Sequence, residues 1–330
     1  MRVLVVKLSS LGDVIHTLPA LTDAALAIPD IRFDWAVEEG FVEIPAWHSA
    51  VDKVIPVALR RWRKSPLKSF RGAQWRRCKA DIGKRHYDAV IDAQGLLKSA
   101  FIARLAKAPR YGLDRKSAKE GLSSLCYHHP INVPLDVHAV ERIRTLFARS
   151  LKYTRPTDRG DYGVRAKLRN SGGESPAGVL FFHGTARAEK LWPESHWISL
   201  AGLAADSGRQ VWLPWGSAQE RERAQRIAAA DGRAQVLPRL DLLGLASMLL
   251  EVEGAVAVDT GLGHLSAALD VPTVSLYGPT DTALIGAYGR NQVHIQSRLG
   301  VADTDDPMTM MQSISAQATW QKLAVLMADQ

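Results

Sequence analysis

Three places in the sequence combine residue types and spacings that can do chemistry. Asp259, Thr260 and Gly261 follow the apolar run Ala-Val-Ala-Val and precede a helically spaced segment around His264. A helix opening there aims unpaired N–H groups and its positive dipole end at the loop. That suits a phosphate, although Asp259 or Thr260 would also serve as a plain helix cap. Gly261 and Gly263 have no Cβ to keep a ligand from the backbone. Lys190, in HGTARAEKLWP, lies between another apolar run and the next helical segment, which puts it at the same sheet edge. It can neutralise a diphosphate as a mobile point charge, or simply be solvated. Asp13 ends SSLGD, between the first apolar run and the first helix, with Gly12 beside it to admit a substrate. Its carboxylate can act as a general base or cap the helix. The helix dipole favours its ionised form, which readies it for a proton but weakens it as a base.

The elements that must position these residues read as parallel sheets flanked by helices. RVLVVKL (2–8) is a short strand, SSLGD a turn and 14–27 a helix. IRFDWAV (31–37), VDKVIPV (51–57) and YDAVIDA (87–93) are further strands, the last running into helical QGLLKSAFIARLA. The period breaks at LRNSGGESPAG (168–178) and then resumes. Strand GVLFFHG, a helix ending at Gly208, strand RQVWLPWG and helix SAQERERAQRIAAADG follow. Helix LLGLASMLLEVEG, strand AVAVDTG, helix GHLSAALD and strand VPTVSLYGP come next, with a helical tail from Gln312 to Met327. Alternation of this kind makes doubly wound α/β domains. Two are expected, 1–172 and 173–312, with 313–330 a helix packing back toward the first. Such sheets bind ligands beyond the carboxyl ends of their strands, so the cleft between domains is the expected site.

Composition narrows the partners. At 330 residues, 46% hydrophobic and 23% charged, the chain suits two globular cores. No apolar run approaches the ~18 residues that span a bilayer, and the N-terminus lacks the pattern of a signal peptide. A cytoplasmic location is expected. The net charge is +8, yet residues 60–85 alone hold eleven Lys/Arg against one acid, Asp81, and the remainder is slightly acidic. Charge gathered in one place argues for one anionic partner there. Within it, Arg60, Arg61, Arg63 and Lys64 can grip phosphates while Trp62 lies against an apolar or sugar surface. Cys78 and Cys126 lack metal-ligand spacing, and no metal or cofactor is expected. GLLKS (95–99) lacks P-loop spacing, and SSLGD is no dinucleotide fingerprint. Bases interleaved with Trp62 and Trp75 leave a nucleic-acid-binding module as a remote alternative, which no recognised motif supports.

The stretches MRVLVVKLSSLGDVIHTLPAL, VEEGF, RRWRK, YDAVIDAQGLLKSA, KLWPESHW, LPWGSAQERERA, VDTGLGHLSAALD and YGPTD closely resemble the bacterial lipopolysaccharide heptosyltransferases. The likeness runs from Met1 to about Gly289. D-[ST]-G-x-x-H and K-x-W-P are family-wide, whereas RRWRK and DAQGLLKSA point to the branch that adds the first heptose. The resemblance implies a GT-B fold, acceptor on the N-terminal domain and donor on the C-terminal one. It implies inverting transfer of L-glycero-D-manno-heptose from ADP-heptose to the inner Kdo of Kdo2-lipid A. The enzyme would sit peripherally on the cytoplasmic face of the inner membrane, with no nucleic acid as partner.

By the same resemblance Asp13 is the base, and Ser10, Gly12, Arg60, Arg61, Arg63 and Lys64 contact the acceptor. Thr185 and Lys190 hold the diphosphate, together with Thr260, Gly261 and His264. Asp259 accepts hydrogen bonds from heptose hydroxyls, Glu220 reaches the ribose and Leu240 sits near the adenine. Two positions depart from the family pattern. Ala186 stands where a second Thr is common, leaving only its backbone N–H to serve, and Leu240 stands where Met is also expected. A related transferase using the same donor on the second core heptose, or a nucleotide-sugar epimerase, are the enzyme alternatives.

Overall fold

The computed structural model describes residues 1–65, 72–169, 178–297, 299 and 306–329. The chain divides into two compact units, Met1–Val164 and Arg165–Gln330. The first holds strands β1 (Arg2–Val6), β2 (Arg32–Glu38), β3 (Val51–Val57), β4 (Ala89–Asp92), β5 (Arg110–Leu113) and β6 (His129–Ile131). The second holds β7 (Val179–Phe182), β8 (Val211–Leu213), β9 (Ala234–Val236), β10 (Gly254–Val258), β11 (Thr273–Tyr277) and β12 (Gln292–Gln296). Their orders are β3-β2-β1-β4-β5-β6 and β12-β11-β10-β7-β8-β9. The paired strands all run parallel. Counted from its own first strand, each unit has the same doubly wound order, 3-2-1-4-5-6. That order reverses direction between its first and fourth strands, so a crevice opens at β1/β4 and again at β7/β10.

The central strands carry near-continuous apolar runs because helices cover both faces of each sheet. Val3 to Val6 and Ala255 to Val258 are fully buried. In the second unit Val179, Phe181, Trp192, Trp197, Val256 and Val274 share one core with Trp320 and Leu323 of the C-terminal helix Ala316–Ala328. In the first unit the helix Ala139–Leu151 lies on Leu18–Ala27 and buries Arg144. Its guanidinium meets Asp23 at 2.7 Å and Glu141 at 2.9 Å, which compensates a charge otherwise too costly to bury.

Several boundaries differ from the sequence expectation, each for a local reason. The helix expected over 14–27 is two, Leu11–Ile15 and Leu18–Ala27. Pro19, which has no N–H to give a preceding turn, is accommodated at the start of the second. The domain boundary expected at 172/173 lies outside the described residues. Helix Arg165–Arg169, expected in the first domain, goes with the second: it packs on helix Leu242–Glu251, and Arg165 meets Asp270 at 3.5 Å. The C-terminal helix, expected as a separate segment after residue 312, falls within the second unit. It closes the second unit's own core against β10, β11 and β12, because its apolar positions match that sheet's open face.

Candidate functional site

In the first unit the crevice is built around Lys7, Asp13 and Gln94. The chain leaves β1 carrying Lys7, a buried lysine whose ammonium donates to the Ala93 carbonyl beyond β4 at 3.0 Å. The Gln94 amide oxygen accepts from the N–H groups of Leu8 and Ser9 at 2.9 and 3.1 Å. These bonds tie the ends of the two strands that flank the reversal. Buried Asp92 steadies the β4 loop by accepting from the N–H of Gln94 and the hydroxyl of Tyr127. Asp13, in the short helix Leu11–Ile15, accepts from both the N–H and the hydroxyl of Ser10, at 2.9 and 2.8 Å. Its other oxygen lies 3.5 Å from the Lys7 ammonium, and its side chain stays 45% exposed. Burial pushes the Asp13 carboxyl up, but Lys7 and the two Ser10 donors outweigh it and hold the group below the usual range. Asp13 is therefore an ionised, oriented carboxylate with one side open. Gly12 is buried within the same helix.

The basic tract begins in the short helix Leu59–Trp62. Trp62, expected against an apolar or sugar surface, finds an apolar one inside the protein. It is buried in the first unit's core, edge-on to Trp75. Its apolar area finds Val57, Ile82 and their neighbours before any ligand. The Arg60 guanidinium sits 5.7 Å from the Phe41 ring centroid, and Arg61 grips Glu39 with two bonds at 2.6 and 3.2 Å. Arg63 and Lys64 are exposed. Glu38, Glu39, Gly40 and Phe41 share a groove with Arg60, Arg61 and Lys64, so the site mixes acids with bases. Burial raises the Glu38 carboxyl above its ordinary value, against the Arg60 N–H bonded to it. Lys68 and Arg71 lie outside the described residues.

In the second unit the loop after β10 meets the loop after β7. Lys190 and Asp259, expected to serve different groups of a ligand, are ion-paired with each other at 2.5 Å and largely buried. The same Asp259 oxygen accepts from the Thr280 hydroxyl at 2.6 Å, while the Thr185 hydroxyl donates to the Asp259 carbonyl at 2.9 Å. Thr260 is the extended N-cap of helix Gly261–Ala268, and no side-chain oxygen caps that helix. Its first N–H groups and dipole end remain available for an anion beside Lys190. Gly263 has another use than the one expected. A Cβ there would come 3.2 Å from Ala257 Cβ, so this glycine seats the helix on β10.

Glu220 reaches back as the box partner of Ser217, accepting from the N–H groups of Gly216 and Ser217 at 2.7 and 3.1 Å. A Cβ on Gly184 would meet its Oε1 at 2.5 Å, so glycine alone admits this approach. Glu220 is thereby joined to the loop that carries Thr185. His264 is buried in the helix, Ala186 is exposed in the loop, and Leu240 is half-buried beside Gly244. Among the described residues, the Asp259 cluster is made by Lys190, Thr280 and Thr185 rather than by Ala186 or Leu240.

Sequence reasoning missed Lys7, Gln94, Glu38, Glu39 and Thr280. Lys7 had one signal, a lone charge inside an apolar strand run. Thr280, in YGPTD, had none beyond the likeness. Among the described residues no group of three His, Cys, Asp or Glu is arranged to hold a metal ion.

Two parallel six-stranded units of one topology, each with polar residues at its strand reversal, match the GT-B class of fold found in solved heptosyltransferases. The model of glycosyltransferase family 9 (heptosyltransferase) matches residues 75–313, and the chain belongs to this family. It is 58% identical over 299 residues to lipopolysaccharide heptosyltransferase 1 of Pseudomonas aeruginosa, covering 90% of this chain and 84% of that protein. The Escherichia coli heptosyltransferase WaaC solved with ADP superposes with a TM-score of 0.92 at 46% identity, over 99% of this chain and all of that one. The same enzyme with ADP-2-deoxy-2-fluoro heptose gives 0.89 at 46%, over 98% and 99%. Lipopolysaccharide heptosyltransferase 2 of Escherichia coli matches more narrowly, at 36% over 97 residues, 28% of each chain. The chain is a glycosyltransferase of the heptosyltransferase I type.

Proposed function

We propose that this enzyme moves L-glycero-D-manno-heptose from ADP-heptose to the inner Kdo of Kdo2-lipid A, with inversion at the anomeric carbon. The observation that carries the reading is the Lys190–Asp259–Thr280 cluster at the open start of helix Gly261–Ala268. A relative of 46% identity was solved with a fluorinated ADP-heptose.

In this reading the donor belongs to the second unit. Its diphosphate takes Lys190 from Asp259 and sits on the N–H groups of Thr260 and Gly261, with Thr185 and His264 beside it. Asp259, freed from the lysine, turns its oxygens to heptose hydroxyls. Glu220 serves the ribose, Leu240 the adenine, and Ala186 offers a backbone N–H. The acceptor belongs to the first unit. Ser10 and Gly12 flank its reacting hydroxyl, and Arg60, Arg61, Arg63 and Lys64 meet its phosphates and carboxylates.

The Kdo oxygen forms a bond to the anomeric carbon as the bond from that carbon to the diphosphate oxygen breaks. Asp13 takes the hydroxyl proton. Its low basicity means that the proton moves only as the new bond forms and the hydroxyl grows acidic. ADP leaves with the bonding pair, and Lys190 with the helix amides stabilises the added charge. A lipid-linked acceptor supports a peripheral position on the cytoplasmic face of the inner membrane.

Mass spectrometry of Kdo2-lipid A after incubation with ADP-heptose and the enzyme tests the reading. One added heptose is expected. An unchanged acceptor, or transfer only to an acceptor that already carries a heptose, overturns it.

A further inference from the structure

Helix Leu97–Ala103 is inside out on one side. Ser99, Ala100, Ile102 and Ala103 are buried, as a core-facing stripe should be. The opposite stripe is also apolar: Leu97 and Phe101, one turn apart, are 49% and 45% exposed. The neighbouring 3-10 turn Gly121–Cys126 repeats the pattern. Ser123 points inward, while Leu122 and Leu125, three apart and so on one face, are 59% and 82% exposed. The two elements touch. The N–H of Leu97 donates to the Glu120 carboxylate at 2.7 Å, and the Glu120 N–H donates to the Gly95 carbonyl at 3.1 Å. Single exposed leucines are ordinary, but four large apolar side chains on two joined elements form a patch.

The segment that carries that patch is rich in cations. Residues 97–126 hold seven Lys/Arg and two acids. Lys98 and Arg104 flank Leu97 and Phe101 on the same helix. Arg115 packs on the turn itself, since a Cβ on Gly121 would come 2.7 Å from its carbonyl oxygen. Lys119 is exposed next to Glu120. Both acids are engaged locally: Glu120 takes the Leu97 N–H, and Asp114 takes the N–H groups of Lys116 and Ser117. Phe101 stacks on Trp75 at 5.6 Å, so the patch continues into the basic helix Ala73–Gly83, where Arg76 and Lys79 are exposed.

From this arrangement we infer that the face made by Leu97, Phe101, Leu122 and Leu125 docks the enzyme on an anionic lipid leaflet. The apolar side chains enter the headgroup–acyl boundary while the cations of that segment meet lipid phosphates. The inference rests on the proposed lipid-linked acceptor for its need of such a surface, and on the exposed patch and its charge for its location.

Co-sedimentation of the full chain with vesicles tests it. The vesicles are phosphatidylglycerol with phosphatidylethanolamine, or phosphatidylcholine alone. The parent should bind the anionic vesicles, less at high salt, and the neutral ones weakly. Leu122→Ser with Leu125→Ser should lower binding by about ten-fold or more. Lys98→Gln, Arg104→Gln and Lys119→Gln should each lower it about five-fold. The serine pair should leave the thermal midpoint and transfer to an acyl-free, water-soluble Kdo acceptor unchanged, because both leucines already face water.

Unchanged vesicle binding by the serine pair overturns the inference, as does equal binding of the parent to neutral and anionic vesicles. A parental dimer that the serine pair disperses, with vesicle binding intact, overturns it in favour of a second copy. A parent that binds as expected yet transfers no heptose defeats the acceptor reading instead.

Discussion

The two units wind their strands in the same order and keep their polar residues at the same place, the reversal beside the first strand. They differ in which charge is left facing outward. In the first unit the cation is buried: Lys7 is pinned to the Ala93 carbonyl, and Asp13 stands in front of it, nearly half exposed. In the second unit both partners are covered, Lys190 and Asp259 neutralising each other next to an uncapped helix start. A fixed cation behind an open carboxylate suits proton removal. A cation that can change partners suits an arriving anion. The topology offers the place, and the pairing of charges sets what the place does.

That contrast can be broken experimentally. The largest effect is expected at Asp13, where Asp13→Ala should slow turnover ~10²–10⁴-fold and leave ADP binding by calorimetry unchanged. A parental rate would remove Asp13 from the chemistry.

Next comes acid. His183, at the end of β7, has its imidazole lowered to about 4 by burial and by nearby Arg223. The folded unit therefore keeps it neutral, whereas the unfolded chain binds a proton below about 6.5. Stability of the second unit should fall as pH drops from 6.5 toward 4, by about 3 kcal/mol at most. His183→Gln should flatten that slope in denaturant titrations. Asp13 has the same sign but a lower window. Its depressed carboxyl adds stability above the ordinary carboxylate value, and that is lost only as pH falls through the lower folded one. Acid should thus loosen the second unit before it protonates Asp13.

Lys190→Gln should weaken ADP about 10–100-fold, the worth of a charged hydrogen bond, with little change in acceptor KM. Equal loss on both substrates would mean that the lysine serves the fold. Replacing Arg60, Arg61 and Arg63 together with Gln should raise acceptor KM about ten-fold, since exposed ionic contacts are individually weak. A larger rise in donor KM would move the tract to the wrong substrate. The smallest expected effect is none: chelator should leave the rate unchanged, because Lys190 and the helix amides supply the positive charge.

The sequence was most legible where the strands are central and apolar. β1, β2, β4, β7, β10 and β11 all stand within about three residues of their expected positions, because buried parallel strands read as largely apolar runs. The outer strands were not legible. β5 (Arg110–Leu113) and β6 (His129–Ile131) are short and polar, β9 has Gln235 at its centre and β12 carries Gln at both ends, so no period marks them. At the candidate site, Asp13, Lys190 and Asp259 stood out because each follows a strand. Lys7 and Gln94 did not, because they act through partners 85 or 86 residues away, and Thr280 did not, because its partner lies 21 residues back across a helix and a strand. Lys190 also shows what spacing cannot express. Nothing in its neighbourhood announces that it is paired with Asp259.

The C-terminal helix has a consequence for how the chain comes off the ribosome. Because Ala316–Ala328 closes the core of the unit that precedes it, each unit is one unbroken length of chain. The first can condense completely while the second is still being translated. The second must wait for its last turn of helix, with Val179, Val256 and Val274 short of their cover until residue 323 emerges. During synthesis the half that holds Lys190 and Asp259 is therefore the half whose core closes last.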